Sequence, residues 1–256
     1  MLDLTDSHCH LTHADFSPDA DDVVRRAEQA GVHRFLTIGT RLSETEELIA
    51  LTRRYPNVFA TVAVHPEYVS EGGVSVEDII AAARKDEKIV AIGETGLDYH
   101  YDPEHRAEQR DLFEKHLIAA RDTGLPVVIH TREAEDDTIA LLKKYPSVTG
   151  VLHCFSSNRT LADFGTERGF CLSASGILTF KKADEIRAVF KDVPITQILL
   201  ETDAPYLAPV PFRGKRNEPS FMIKTAEMIA EIKEMSLQSV ADATTGNFLS
   251  LFKKAY

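Results

Sequence analysis

Residues 124–132 read Gly-Leu-Pro-Val-Val-Ile-His-Thr-Arg. The glycine suits a helix C-terminus, because it takes the left-handed conformation without steric cost. The proline opens a strand, and the apolar β-branched run after it predicts a strand buried on both faces. That run ends on His130. Upstream, Asp102-Pro103-Glu104 predicts the start of the preceding helix, with Asp as N-cap and Pro at the first helical position. Its apolar face is Leu112, His116, Ala119 and Ala120. The stretch is therefore one unit of helix, tight turn and buried strand with a metal-type side chain at its end.

The unit repeats. Short apolar or β-branched runs lie at 3–7, 33–38, 58–64, 88–93, 126–130, 149–153, 170–174 and 197–201, and helical patterns fill most of the gaps. Ser17-Pro18 opens a helix that closes at Gly31, and Tyr55-Pro56 and Tyr145-Pro146 stop two more, since the residue before proline resists the helix. Alternating strand and helix implies a parallel sheet. Eight such units predict an α/β fold, a slightly distorted TIM (β/α)8 barrel, over residues 1–256 as a single domain. The order loosens at 204–220, a proline-rich stretch that reads as one long loop before helical patterns resume at 219–234 and 236–254.

The 256 residues match the usual barrel size of about 250. No apolar run is long enough for a membrane span. The N-terminus is acidic and enters a strand at once, unlike a signal peptide. Three cysteines, Cys9, Cys154 and Cys171, give no disulfide framework and fit a reducing cytoplasm. The net charge of −11 argues against a broad basic surface for nucleic acid, and no stable DNA-binding module is expected. A nucleic-acid substrate is still compatible, because bound divalent ions would make a site locally positive.

A parallel barrel gathers its strand ends at one rim. Six metal-type residues follow the apolar runs: His8, His10, Glu94, His130, His153 and Asp203. His8 and His10 are two apart, so they share a side and Cys9 takes the other; Cys154 is expected, by the same alternation, to point away from the metal side and pack. Glu94 has two oxygens and can bridge two metals. Gly93 and Gly96 beside it are expected to let backbone approach an ion or substrate. Asp98 is a candidate to orient a ligand from behind, and Glu201, deeper on the face of Asp203, needs a buried partner. Asp203 can ligate a metal and also take a proton from water. For substrate, His65 and Arg132 are strand-end candidates for phosphate, and Arg213, Lys215 and Arg216 form the one dense basic cluster near the rim. With no tryptophan in the chain, base stacking would fall to Tyr206 or Phe212.

These motifs resemble the TatD family of metal-dependent deoxyribonucleases: Asp-Ser-His-Cys-His-Leu from 6, Gly-Glu-Thr-Gly-Leu-Asp-Tyr from 93, His-Thr-Arg from 130, His-Cys-Phe-Ser from 153, and Glu-Thr-Asp-Ala-Pro from 201 with Arg-Gly-Lys-Arg-Asn-Glu-Pro from 213. The resemblance spans the chain in motif order. It departs at Glu67, where relatives often carry histidine or a small polar residue, and at Ser157, where glycine is common. It implies an amidohydrolase-superfamily barrel and a pair of divalent ions (Mg²⁺, Mn²⁺ or Zn²⁺) on the six residues, with Glu94 shared. It also implies hydrolysis of DNA phosphodiesters, exonucleolytic from the 3′ end, with Asp203 and Glu94 catalytic. Two other readings compete. The same ligands could serve an amide, another ester (including an aminoacyl ester) or a phosphotriester, or the protein could bind metal without turnover.

Overall fold

In the computed structural model, which describes residues 2–255, the eight runs are eight strands: β1 Leu4–Cys9, β2 Val32–Thr37, β3 Val58–Val62, β4 Ile89–Asp98, β5 Val127–Arg132, β6 Gly150–Leu152, β7 Cys171–Ala174 and β8 Ile198–Leu200. They form one sheet in sequence order with every pair parallel. Seven helices alternate with them: α1 Ala20–Gln29, α2 Thr45–Arg54, α3 Val76–Ala83, α4 Arg106–Thr123, α5 Glu135–Lys144, α6 Arg159–Glu167 and α7 Asp184–Asp192. Two more, α8 Met222–Lys233 and α9 Leu237–Leu251, follow β8. This is the predicted TIM barrel.

The distortion lies in unequal strands. β4 has ten residues, whereas β6 and β8 have three each. Because β8 is short, the ring is drawn together by the segment beyond it. Cys9 bridges Ala204, the Asp203 amide donates to the His8 carbonyl at 2.9 Å, and the His10 amide donates to the Ala204 carbonyl at 2.8 Å. Below this seam the buried Asp6 carboxylate accepts from the Thr202 amide at 3.0 Å and hydroxyl at 2.5 Å.

Alternation along each strand divides the apolar side chains into two buried layers. Leu36, Val90, Val128, Val151 and Leu199 form an inner cluster, joined by Phe248 and Phe252 from the end of the chain. Their strand neighbours, among them Phe35, Val127, Ile129 and Leu152, pack outward on helix residues such as Phe113, Leu142 and Leu161. His130, two residues beyond Val128, thus projects on the inner side, as does His153 beyond Val151.

Helix ends follow the sequence cues. Tyr55 and Tyr145 cap α2 and α5, and Gly124 caps α4 at φ 71°. The start of α4 differs from expectation: it begins at Arg106, not after Asp102. The Asp102 carboxylate is taken by the His105 ring at 2.8 Å, and Gln109 Nε2 holds the carbonyls of Asp98 and Asp102 at 3.0 and 2.9 Å. These bonds shape 99–105 as a turn that hangs from the end of β4. No helix among the described residues is long and apolar enough to cross a membrane.

Candidate metal centre

The six residues predicted at strand ends meet at the C-terminal mouth of the barrel, with Glu94 at the centre. Its Oε1 lies 2.7 Å from His153 Nε2 and 3.1 Å from His130 Nδ1; its Oε2 lies 3.3 Å from His8 Nε2 and 4.0 Å from His10 Nε2. Asp203 Oδ1 closes the far side, 3.4 Å from His10 Nε2 and 3.6 Å from His8 Nε2. Each oxygen of one buried carboxylate therefore faces a different set of imidazoles. Burial alone would raise the Glu94 pKa, but His153, His65, His8 and His130 around it hold it well below the ordinary glutamate value.

The donors suit a divalent metal. Imidazole nitrogens and carboxylate oxygens accommodate Zn²⁺ or Mn²⁺ well. Both ring nitrogens of His8 and Nδ1 of His153 are buried without a hydrogen-bond partner, a costly arrangement for polar atoms. Burial, with His153 alongside, pushes His8 below the ordinary histidine value, which favours the neutral ring that ligates metal. Three groups of donors lie close enough to share an ion: His8, His10 and Glu94; His65, Glu94 and His130; and His8, His153 and Glu201.

Two carboxylates stand behind the ring. Asp98 Oδ2 is 2.8 Å from His130 Nε2, on the nitrogen opposite the one facing Glu94. Glu201, fully buried, lies 3.6 Å from His153 Nδ1, and neither of its oxygens has a hydrogen-bond partner among the described residues. Asp98 thus contacts a ligand-type histidine from behind, as the sequence suggested, whereas Glu201 has His153 as its nearest basic neighbour without a hydrogen bond to it.

Several expectations need correction. His65, a strand-end candidate for phosphate, lines the mouth and also sits within the cluster, its Nε2 3.3 Å from Glu94 Oε1, while the Glu67 amide holds its Nδ1 at 3.2 Å. Gly93 and Gly96 do not make room for an ion. A Cβ on Gly93 would lie 2.5 Å from Val128 Cβ, and one on Gly96 (φ 137°) would lie 2.0 Å from the His130 carbonyl oxygen. They let β4 approach β5. Cys9 packs outward, with its thiol 3.6 Å from the Leu36 carbonyl. Cys154 does not point away: β6 ends at Leu152, Cys154 turns to φ 43°, and it lines the mouth with Sγ 3.2 Å from Ser175 Oγ.

The mouth is a cavity of about 820 Å³. Arg132 lines it, its guanidinium 4.4 Å from the centre of the Tyr101 ring and without an ion pair among the described residues. The late basic cluster does not line it. Arg216 is tied to Asp19 at 2.8 Å, Arg213 lies 3.8 Å over the Phe180 ring, and Lys215 sits 5.8 Å over Phe212. Phe212 itself stacks on Phe221 at 3.9 Å, so its face is covered, whereas Tyr206 does line the cavity. Arg41, His13 and Tyr101, none of them among the residues expected from the sequence, also line it. Arg41 carried a usable signal, since it follows the β2 run as Arg132 closes β5. Tyr101 carried none, because its position depends on the 99–105 turn.

A family profile described as TatD related DNase matches residues 5–253. The chain is 40% identical over 254 residues to an uncharacterized metal-dependent hydrolase, YcfH, of Escherichia coli K12, covering 97% of this chain and 95% of the relative. It is 34% identical to a Salmonella typhimurium protein named 3′-5′ ssDNA/RNA exonuclease TatD, over 96% and 98% of the two chains. Among solved structures, the TatD homolog YjjV of Escherichia coli K12 superposes with a TM-score of 0.92 at 30% identity over 98% of both chains. With its motifs in order and its metal-type residues gathered at the barrel mouth, the chain belongs to the TatD family of metal-dependent hydrolases.

Proposed function

We propose that this protein, acting as a single domain, is a two-metal phosphodiesterase that removes nucleotides from the 3′ end of DNA. The observation that carries the reading is Glu94: one buried carboxylate with imidazoles gathered at both oxygens, His153, His130 and His65 at one and His8 and His10 at the other. His8, His10, Glu94 and Asp203 would hold one ion, and Glu94, His130 and His153 the other. When bound, the ions supply charge stabilisation at phosphoryl oxygens and a nucleophile at neutral pH.

The chain's own groups do the rest. Asp203 is the least buried carboxylate of the ring, at 14% exposure against 6% for Glu94, and its depressed pKa, with His10 and His8 outweighing burial, keeps it able to accept a proton. Arg132, unpaired in the same cavity, holds a phosphate oxygen. Asp98 fixes His130, and Glu201 places a buried carboxylate 3.6 Å behind His153. The name of the Salmonella relative supports the substrate and direction. Three unpaired cysteines suit a reducing cytoplasm.

The test compares wild type and Glu94→Gln, supplied in turn with Mg²⁺, Mn²⁺ and Zn²⁺, on single-stranded DNA labelled at the 5′ end. Wild type should shorten the strand stepwise from the unlabelled end. Glu94→Gln should be slower by at least about a hundredfold, the scale of losing one preorganised charged group. Equal rates, or no cleavage by wild type with any metal, would overturn the proposal.

A further inference from the structure

Among the described residues, three large apolar or aromatic side chains stand exposed: Tyr101 at 64%, Tyr206 at 50% and Val210 at 46%. Two of the three, Tyr101 and Tyr206, line the cavity over the metal-type cluster. Tyr101 follows β4 and Tyr206 follows β8. In a ring of eight strands in sequence order these positions are half a turn apart. The two rings therefore flank the cluster from opposite sides.

Neither tyrosine is a loose surface residue. The Tyr101 amide donates to Asp98 Oδ1 at 2.8 Å, and Asp98 Oδ2 holds His130. The Tyr206 amide donates to the Asp203 carbonyl at 2.8 Å, and Asn217 Nδ2 holds the Tyr206 carbonyl at 2.6 Å. Each backbone is thus fixed, directly or through one side chain, to a residue of the cluster. The rings are supported as well. Arg132 packs against Tyr101, while His10 and His13 meet Tyr206 at 74° and 76° with centroids 5.9 and 5.7 Å away. An exposed aromatic face held in the cavity over the cluster has one chemistry to offer that a hydroxyl or charge does not, namely stacking on a flat ring of the substrate.

We propose that Tyr101 and Tyr206 each receive one of the two bases flanking the scissile phosphate. This rests on the phosphodiesterase reading above and adds to it what is recognised: two unpaired bases, splayed apart, of any identity. Every base offers a π-face, so the contact selects strandedness and not sequence. Paired bases must first be taken out of their stack, which sets duplex ends at a disadvantage. Arg132 serves twice, backing the Tyr101 ring and facing the phosphate.

The experiment measures kcat and KM for wild type, Tyr101→Ala, Tyr206→Ala, the two phenylalanine variants and the control Val210→Ala. Substrates are a single-stranded oligonucleotide and two versions with an abasic residue, at the 3′-terminal or the penultimate position. Each alanine variant should raise KM roughly tenfold, the scale of one lost stack, with a smaller change in kcat. Each should also become insensitive to the abasic residue at one of the two positions. Phenylalanine should restore most of the affinity, and Val210→Ala should leave KM unaltered. If wild type cleaves DNA while the alanine variants keep its KM, stacking is excluded and the phosphodiesterase reading stands. If phenylalanine fails as alanine does, the hydroxyl is what matters and stacking is again excluded. If wild type cleaves no nucleic acid, both proposals fall together.

Discussion

His130 turns Nδ1 to Glu94 and Nε2 to Asp98, so both its nitrogens are assigned before any ion arrives. Burial would lower its pKa, yet Asp98 and Glu94 raise it. Asp98, bonded to the nitrogen opposite Glu94, thus sets the orientation of this ring. Replacing Asp98 by Asn keeps the amide bonds from His100 and Tyr101 within reach but removes the charge behind the ring. Asp98→Asn should weaken divalent-metal affinity by about 10–100-fold, as loss of such a partner commonly does. Competition against a chelating dye reads this directly; unchanged affinity would remove Asp98 from the metal centre. The ring residues were legible in the sequence because each terminates an apolar run. Cys154 was misread for a physical reason: alternation holds only while the strand lasts, and β6 stops two residues before it.

Between β4 and β5 the limiting fact is distance between backbones. Gly96 sits at φ 137° opposite His130, and no side chain fits there. Gly96→Ala should destabilise the protein by about 3 kcal/mol or more, since it combines a forbidden conformation with a clash against backbone. It should also shift His130, so chemical denaturation and metal titration should both register it; a variant of wild-type stability would show that the strands can part at no cost. At this scale the sequence indicated the eight strands and most helix ends, because proline and glycine act locally. It did not indicate the start of α4. There Gln109 reaches back eleven residues to both backbone groups of Asp98, a contact that local pattern does not encode. The late loop was misjudged similarly. Its basic residues are on the sequence for anyone to see, but Arg216 is committed to Asp19, 197 positions away.

For the molecule as a whole, stability should depend on pH through a histidine outside the site. His116 on α4 is fully buried, donating from Nδ1 to the Leu112 carbonyl at 2.7 Å and accepting the Val64 amide on Nε2 at 3.0 Å. It ties the helical layer to the end of β3. Burial pushes its pKa down from 6.5 to about 4. Between those values the unfolded chain binds the proton and the folded chain does not, so stability is full above pH 6.5 and is lost as pH falls toward 4. The contribution is on the order of 3 kcal/mol. Urea unfolding at pH 7 and pH 4.5 should show a steeper loss for wild type than for His116→Gln; parallel losses would count against it.

The seam between β1 and the segment after β8 also sets an order of events. His8 leaves the ribosome early and Asp203 late, and at about 5–20 residues per second their emergence is separated by roughly 10–40 s. Through that interval the first strand has no eighth strand to close against, and α9, whose Thr245 hydroxyl bonds the Asp3 carbonyl, has yet to be made. A ring closed by its own last segment is all or nothing for the site it carries. A chain that has not yet closed this seam would hold scattered histidines with no shared pocket, so the gathered cluster marks that β1 and the segment after β8 have met.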